Sequence, residues 1–254
     1  MLLLVIVLGY MIPYGGLYIA AIDVSQGSAT YIRTPNNKTI LIDGGSEYNL
    51  TLLEDYLQGR GEIDIGIITH DDSDHSYGIK ELMEEGKIET VYTNECDAPK
   101  ISIEENTNKI LTLSKGDTLY FDGVKITVYN PGSNSDEDDS NYNSLVLLIE
   151  YNGNRILVPG DIPSAVEEDI MAEIGDIDVL FVAHHGAASS TSDEFLKYVK
   201  PETAIISVGK NNYGHPSERV LNSLLKACDE IYTTEQNGCV ELYIDDKIRV
   251  ETVR

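Results

Sequence analysis

What most constrains this chain is a recurring unit: a short apolar run that ends on a turn rich in His or Asp and then leads into a helical pattern. Residues 63–68 make one such run, with Ile63, Ile65, Ile67 and Ile68, and deliver Thr69-His70 at its end. Residues 144–151 and 155–158 form a hairpin around Asn152-Gly153 that leads into Pro159-Gly160-Asp161. Residues 179–182 end on His184-His185-Gly186. A short apolar run bounded by turn residues predicts a buried strand, and a buried strand needs packed layers around it.

The rest of the pattern agrees. Residues 17–23, 29–33 and 39–43 predict a three-strand meander, with Pro35-Asn36-Asn37 as a turn. Asn49 is a candidate cap for a helix with Leu50, Leu53 and Leu57 on one face, ended by Gly59. A second helix carries Ile79, Leu82 and Met83 and closes at Gly86. Strands follow near Val91, Ile110, Leu119 and 125–129, then a polar, acidic loop at 134–142. Pro163 opens a helix with Val166, Ile170 and Ile174 in register, stopped by Gly175. Thr191 and Glu194 have the spacing of a capping box for a helix through Val199. A strand at 204–208, a helix from Pro216 through Leu225 and two short strands finish the chain. Strands first and mixed units afterwards predict two packed sheets covered by helices. No linker rich in Pro, Gly or Ser interrupts residues 17–254, which read as one domain.

Residues 1–12 are apolar and stop at Pro13, short of the roughly 20 residues that span a bilayer. A secretory signal wants a basic start, and no Lys or Arg precedes Arg33. Segment 1–16 therefore stands apart from the domain, as the tail of a longer membrane helix, a weak anchor or an edge segment. The first reading puts the domain on the extracytoplasmic side of a membrane; the last would leave it cytoplasmic.

Charge narrows the function classes. With 43 acidic against 18 basic residues the net charge is −25, so long-range capture of nucleic acid by a basic surface is excluded. A phosphate substrate must be gripped locally, by bound cations, helix N-termini or a neighbouring domain. Cys96, Cys228 and Cys239 show no CxxC spacing, which argues against a cysteine zinc site. Cys228 and Cys239 read as two buried thiols in preference to a disulfide.

The sharpest chemical signal is His70-Asp71-Asp72-Ser73-Asp74-His75, directly after a buried strand and before a helix. A tight turn there can aim His70 and Asp72 at one point and Asp74 and His75 at a neighbouring one. Imidazole together with carboxylate suits Zn²⁺, Mn²⁺ or Fe; the plainer reading is an acidic turn capping a helix. Asp161 alone would ordinarily be an N-cap. His184-His185 alone would be one buried and one exposed histidine. His215, in Gly214-His215-Pro216, stands at the start of a helix, where backbone N–H groups favour anions. The combination says more than the parts, because strand-to-helix turns at one end of a sheet line one crevice. All 5 histidines of the chain lie in these motifs.

The order HxDxDH, a hairpin into GD, HHG and then GHP resembles the metallo-β-lactamase superfamily, and within it the C-terminal domain of the ComEC competence family. Further stretches carry the likeness: Ile22-Asp23-Val24, Arg33-Thr34-Pro35, Leu41-Ile42-Asp43-Gly44-Gly45, Asn143-Ser144-Leu145-Val146-Leu147 and 206–212. The resemblance implies an α/β, four-layer αββα sandwich. It implies one or two divalent ions, Zn²⁺ or Mn²⁺. One position would use His70 and Asp72, the other Asp74 and His75, with Asp161 bridging and His185 the candidate that completes the second. Relatives draw that last ligand from either late region, so His184, His185 and His215 stay open for it. Asp74, His184 and His215 are the candidate catalytic residues, the two histidines contacting substrate or moving protons.

Departures from the family pattern also matter. Asp72 stands where most members have His, and Asn141 and Asn143 occupy the neighbourhood of another family His. The first metal position is therefore poorer and harder. The family's DVGQGD start appears as Asp23-Val24-Ser25-Gln26-Gly27-Ser28, and HHGS as His184-His185-Gly186-Ala187.

The resemblance implies a metal-dependent hydrolase, a phosphodiesterase or nuclease of DNA uptake that uses a hydroxide generated on the metal. Its partners would be DNA or another phosphodiester and an upstream membrane channel domain. The alternatives are a stand-alone phosphodiesterase for small or cell-wall phosphoesters and a degenerate metal-binding docking domain.

Overall fold

The computed structural model describes residues 15–101, 109–132 and 139–254. The apolar run 1–12 and most of the acidic loop 134–142 lie outside the described residues.

The first strands are β1 (Leu17–Ala21), β2 (Thr30–Arg33) and β3 (Thr39–Ile42), followed by helix α1 (Leu50–Leu57). Next come β4 (Ile63–Ile67), α2 (Ser73–Glu84), β5 (Ile88–Thr93), the short α3 (Ala98–Ile101) and β6 (Lys109–Thr112). The middle holds β7 (Thr118–Phe121), β8 (Val124–Asn130), β9 (Val146–Tyr151) and β10 (Asn154–Val158). Then follow α4 (Ser164–Ile174), β11 (Val179–Phe181), α5 (Asp193–Val199), β12 (Thr203–Ile206) and α6 (Glu218–Ala227). Strand β13 (Glu230–Thr233), the short α7 (Thr234–Asn237), β14 (Cys239–Ile244) and β15 (Ile248–Val253) end the chain.

Two sheets result. One has the order β15-β14-β1-β2-β3-β4-β5-β6, the other β13-β12-β11-β10-β9-β8-β7. Alternation along each strand sorts side chains to two faces, and here both faces are apolar, which is why the runs read as continuous. Ile40 and Ile42 of β3 point between the sheets, where they meet Leu147, Val158 and Phe181. Leu41 points the other way, with Tyr31 and Val91, onto Leu53, Ile79, Leu82 and Met83 of the first helices. On the far side Leu148, Leu157, Leu180 and Ile206 pack on Val166, Ile170, Phe195 and Leu224. Helix, sheet, sheet, helix is the expected four-layer αββα order.

Strands β3, β4, β5 and β6 run parallel to one another, as do β10, β11, β12 and β13. The carboxyl ends of β3, β4, β10, β11 and β12 lead directly into Asp43, Thr69-His70, Gly160-Asp161, Ala183–Gly186 and Ser207. The sheets thus aim their reactive turns at one edge, as the crevice rule requires.

Several local expectations need correction. Thr191 and Glu194 do not make the capping box. Ser192 caps α5 by accepting from Phe195 N–H, because the buried Glu167 carboxylate accepts the N–H groups of both Thr191 and Ser192. Pro216 does not start a helix: α6 begins at Glu218 under a Ser217 cap, so His215 belongs to the loop before it. Asn49 occupies the N-cap position of α1 but makes no side-chain cap. Three strands, not two, close the chain, since the polar β13 joins β12 in parallel. Cys228 and Cys239 are half-buried free thiols.

Helix α2, which carries Asp74 and His75, touches the turn after β3 without any side chain between them. Gly44 N–H donates to His75 O at 2.7 Å. A methyl group on Gly78 would overlap the Gly44 carbonyl and lie 2.7 Å from Leu53 Cδ2. Gly78→Ala is therefore expected to destabilise the fold by about 2–3 kcal/mol through overpacking, although Ala favours a helix by about 1 kcal/mol over Gly. Urea unfolding checks this; an unchanged or raised midpoint would show that the contact yields.

Candidate metal centre

Strand β4 ends at Ile67, and the chain turns through Thr69-His70 into α2. Asp72 sits at the N-cap position of that helix, and its backbone oxygen accepts from His75 and Ser76 N–H. Its side chain makes no cap. The carboxylate instead accepts from Ser140 Oγ at 2.7 Å and lies 3.7 Å from His70 Nε2.

His75 is the hub. Its Nδ1 is 2.8 Å from Asp43 Oδ2, and its Nε2 is 3.2 Å from Asp161 Oδ1 and 3.3 Å from His185 Nε2. His185 Nδ1 lies 2.8 Å from the Ser207 carbonyl, so it is the donor, and Nε2 is left facing Asp74 Oδ2 at 3.3 Å and Asp161 Oδ2 at 3.7 Å. His184 Nε2 is 3.7 Å from Asp161 Oδ2. His70 is fully buried and its Nε2 has no hydrogen-bond partner. The Asp161 side chain does not cap α4, whose N-cap is Pro163 with no side-chain bond. His215 lies outside this set, its ring 5.5 Å from that of His184.

Two compact ligand groups emerge among the described residues: His70, His75 and Asp161, all buried, and Asp74, His75 and His185. Asp72, expected as a ligand, belongs to neither. Sequence reasoning gave no role to Asp43, which accepts from Thr69 N–H at 2.8 Å, from Thr69 Oγ1 and from His75. The available signal was an Asp at a strand end before Gly44-Gly45. A brace behind the motif was also missed. Buried Asp97 accepts from Asp71 N–H, Asn94 Nδ2 and Lys100 Nζ, while Lys80 pairs with Asp71.

Electrostatics follow from this crowding. Burial alone would lower the pKa of His75, but the charges of Asp161 and Asp43 raise it well above its usual value. His185 is likewise raised by Asp161 and Asp74 against the effect of burial. Burial opposes ionisation of Asp161, yet His75 and His185 hold its carboxyl well below the usual range, and Asp74 behaves the same way. His215 is lowered, first by burial and then by the charges of His184 and His185.

The sequence profile of the metallo-beta-lactamase superfamily matches residues 22–210. The chain belongs to that superfamily. Among curated relatives, ComE operon protein 3 of Bacillus subtilis is 29% identical over 89% of this chain and 33% of its own length. Recombination protein 2 of Haemophilus influenzae is 31% identical, over 92% of this chain and 30% of its own. Both are ComEC-family competence proteins, and the chain spans about a third of their length. The fold likeness extends to solved structures. Igni18, a metallo hydrolase of Ignicoccus hospitalis, shares 15% identity at a TM-score of 0.63, covering 90% of this chain and all of that one. The metallo-beta-lactamase fold protein YhfI of Bacillus subtilis shares 12% at 0.61, covering 89% and 99%.

The superfamily implies a divalent cation, and the donor chemistry here fits one. With both Nδ1 atoms donating, neutral His75 and His185 would set two Nε2 lone pairs against each other at 3.3 Å. Doubly protonated rings would set two positive charges there. One cation between them removes the conflict: a proton in the metal-free protein, a metal ion in the loaded one. Asp43 and the Ser207 carbonyl, which accept from the two Nδ1 atoms, are outer partners of the kind metal-binding imidazoles use.

His75 has only one free lone pair, so it serves one of the two ligand groups at a time. One divalent ion should therefore bind tightly, held by Asp74, His75, His185 and Asp161, and a second much more weakly near His70 and Asp72. Because His75 is protonated at pH 7 in the metal-free protein, the first ion must displace about one proton, and affinity must fall as pH falls. Zinc calorimetry at pH 7 in buffers of different ionisation enthalpy reads both. Two equally tight ions, or heats independent of the buffer, would contradict the shared-histidine arrangement.

Proposed function

We propose that this superfamily hydrolase is a metal-dependent phosphodiesterase that cuts DNA during uptake, on the extracytoplasmic side of a membrane and beside a channel. The observation that carries the reading is the facing pair of His75 and His185, buried between Asp74 and Asp161, at the edge where both sheets end. The competence names of the curated relatives support DNA as the substrate. Among the described residues no helix is long and apolar enough to cross a membrane, so the channel belongs to a partner or to another part of the protein.

A divalent ion bound here would lower the pKa of water and neutralise charge developing on a phosphoryl oxygen. The residues divide the remaining work. Asp43 and the Ser207 carbonyl fix the ring orientations of His75 and His185. The more exposed side chains mark the open side: Asp74, His184 and Asp72 are 32%, 28% and 48% exposed. A phosphodiester must enter there. Asp74, held ionised, orients the attacking water by accepting its hydrogen bond. His184 faces the same opening beside Asp161 and is the group that protonates the leaving oxygen. His215, its pKa lowered by burial and by the neighbouring histidines, lies one ring further out, 5.5 Å from His184, and is a candidate for substrate contact.

Two of the basic groups are already engaged within the fold. Arg219 donates to the carbonyl oxygens of Ala188, Ser190 and Thr191, and Arg33 lies over the Tyr18 ring at 5.3 Å.

Asp161→Ala is expected to abolish metal-dependent cleavage of DNA and to lower metal content while leaving the far-UV circular dichroism intact. Retained turnover would sink the metal-centre mechanism. Binding gives a second check: with a net charge of −25, affinity for DNA should depend on the divalent ion far more than on monovalent salt. A steep salt slope that survives chelator would mean capture by a basic surface, against this account.

A further inference from the structure

Beyond the metal centre, the loop after β12 is built in a way the hydrolytic mechanism does not use. The Asn211 carboxamide pins it at four points. Its Nδ2 donates to Gly209 O at 2.9 Å and His215 O at 2.7 Å, and its Oδ1 accepts from Tyr213 N–H at 3.0 Å and His215 N–H at 3.1 Å. Gly209 lies so close to the Ser25-Gln26 backbone that a Cβ would sit 2.5 Å from Ser25 C. This rigid loop presents Tyr213 to solvent, 75% exposed. The ring is 5.8 Å from that of His215 and tilted by 33°. From there His215 leads to His184 at 5.5 Å, and His184 to Asp161 at 3.7 Å. Beside the same loop lies an open cavity of about 550 Å³ lined by Gly209, Lys210, Asn211, Asn212, His215 and Glu235. Lys210 is exposed and no ion pair is recorded for it among the described residues, in contrast to the occupied Arg219 and Arg33.

An exposed aromatic ring on a fixed loop that also carries an exposed lysine and borders a polar cavity has the components of a single-strand nucleotide subsite. Aromatic stacking accepts any base, whereas bases inside a duplex already stack on one another. Glu235 and Asn212, which line the cavity, offer an acceptor and a donor to a base edge. We propose that Tyr213 and Lys210 form a nucleotide subsite beside the metal centre, in which an unpaired base stacks on Tyr213 and its phosphate meets Lys210. The proposal rests on the phosphodiesterase reading and narrows its substrate to single-stranded DNA.

The chain contains no tryptophan, so Tyr213→Trp creates a sole emitting indole at the subsite. In the metal-loaded protein its emission should be quenched by a non-hydrolysable phosphorothioate oligothymidylate and much less by duplex DNA of equal length. In steady-state cleavage of single-stranded oligonucleotide, Tyr213→Ala should raise KM about tenfold, the scale of losing one stacked base, with the loss in KM and not in kcat. Tyr213→Phe should restore it. An abasic residue at the stacked position should erase the difference between wild type and Tyr213→Ala. Absent quenching, quenching by duplex and single strand alike, or a KM unchanged in Tyr213→Ala would overturn the subsite. Wild-type protein that cleaves no DNA with any divalent ion would instead overturn the phosphodiesterase reading, and the quenching experiment would still judge the subsite alone.

Discussion

The buried carboxylate of Asp43 is the constraint on which the centre depends. It is 1% exposed, and burying an ionised carboxylate is costly unless it is fully hydrogen-bonded. Its three partners come from two residues: the Thr69 N–H, the Thr69 hydroxyl and His75 Nδ1. These join the end of β3 to the end of β4 and to the first turn of α2. Satisfying Asp43 therefore fixes where α2 starts and which way His75 points. The glycines around it follow from the same demand. Gly44 and Gly78 let the turn and helix backbones touch, and only then does the ring reach the carboxylate.

Negative charge is concentrated where the chain can least screen it. Asp43, Asp74 and Asp161 converge on His75 and His185, and without positive charge between them that convergence would be strongly repulsive. The two imidazoles hold the Asp74 and Asp161 carboxyls below their usual range, and those carboxylates favour a proton shared between the rings until a stronger cation arrives. Such a site is primed to exchange protons for a divalent ion. The surface charge fits the same logic. A protein this acidic attracts cations and repels polyanions, so a phosphodiester is held chiefly where the metal centre and a few placed side chains receive it.

Much of this was legible in the sequence because the chemistry sits on short, contiguous motifs at strand ends. Buried strands advertise themselves as apolar runs, and His70, Asp74, His75, Asp161, His184 and His185 each follow one within a few residues. What stayed hidden depended on contacts between distant segments. Asp43 reads locally as a turn residue, and only its meeting with Thr69 and His75 makes it an organising group. Asp72 reads as a ligand, and what its local sequence does not show is that its carboxylate also accepts from Ser140 of a remote loop and lies outside both compact groups. The helix cap near Thr191 was misread by one residue because Glu167, 24 positions earlier, takes the Thr191 N–H. Strand β13 was missed because its side chains are mostly half-exposed or exposed, so it lacks the apolar run that revealed its neighbours.

Glu167 and Arg219 also explain how the chain sustains its most strained backbone. His184, His185 and Gly186 adopt φ values of 52°, 53° and 81° in succession, a region that costs a non-glycine residue about 1–3 kcal/mol. Straight continuation of β11 would send His184 and His185 to opposite faces. The left-handed turn brings both rings to Asp161 instead. Holding it requires that the exit segment have no alternative. Arg219 is bonded to the carbonyls of Ala188, Ser190 and Thr191, and Glu167 to the N–H groups of Thr191 and Ser192. At the other end of the turn, His185 Nδ1 is tied to Ser207 O. Arg219 and Glu167 thus clamp one loop from opposite polarities of its backbone, which fixes the exit of the strained turn. Arg219 serves the site most by being unavailable to the substrate.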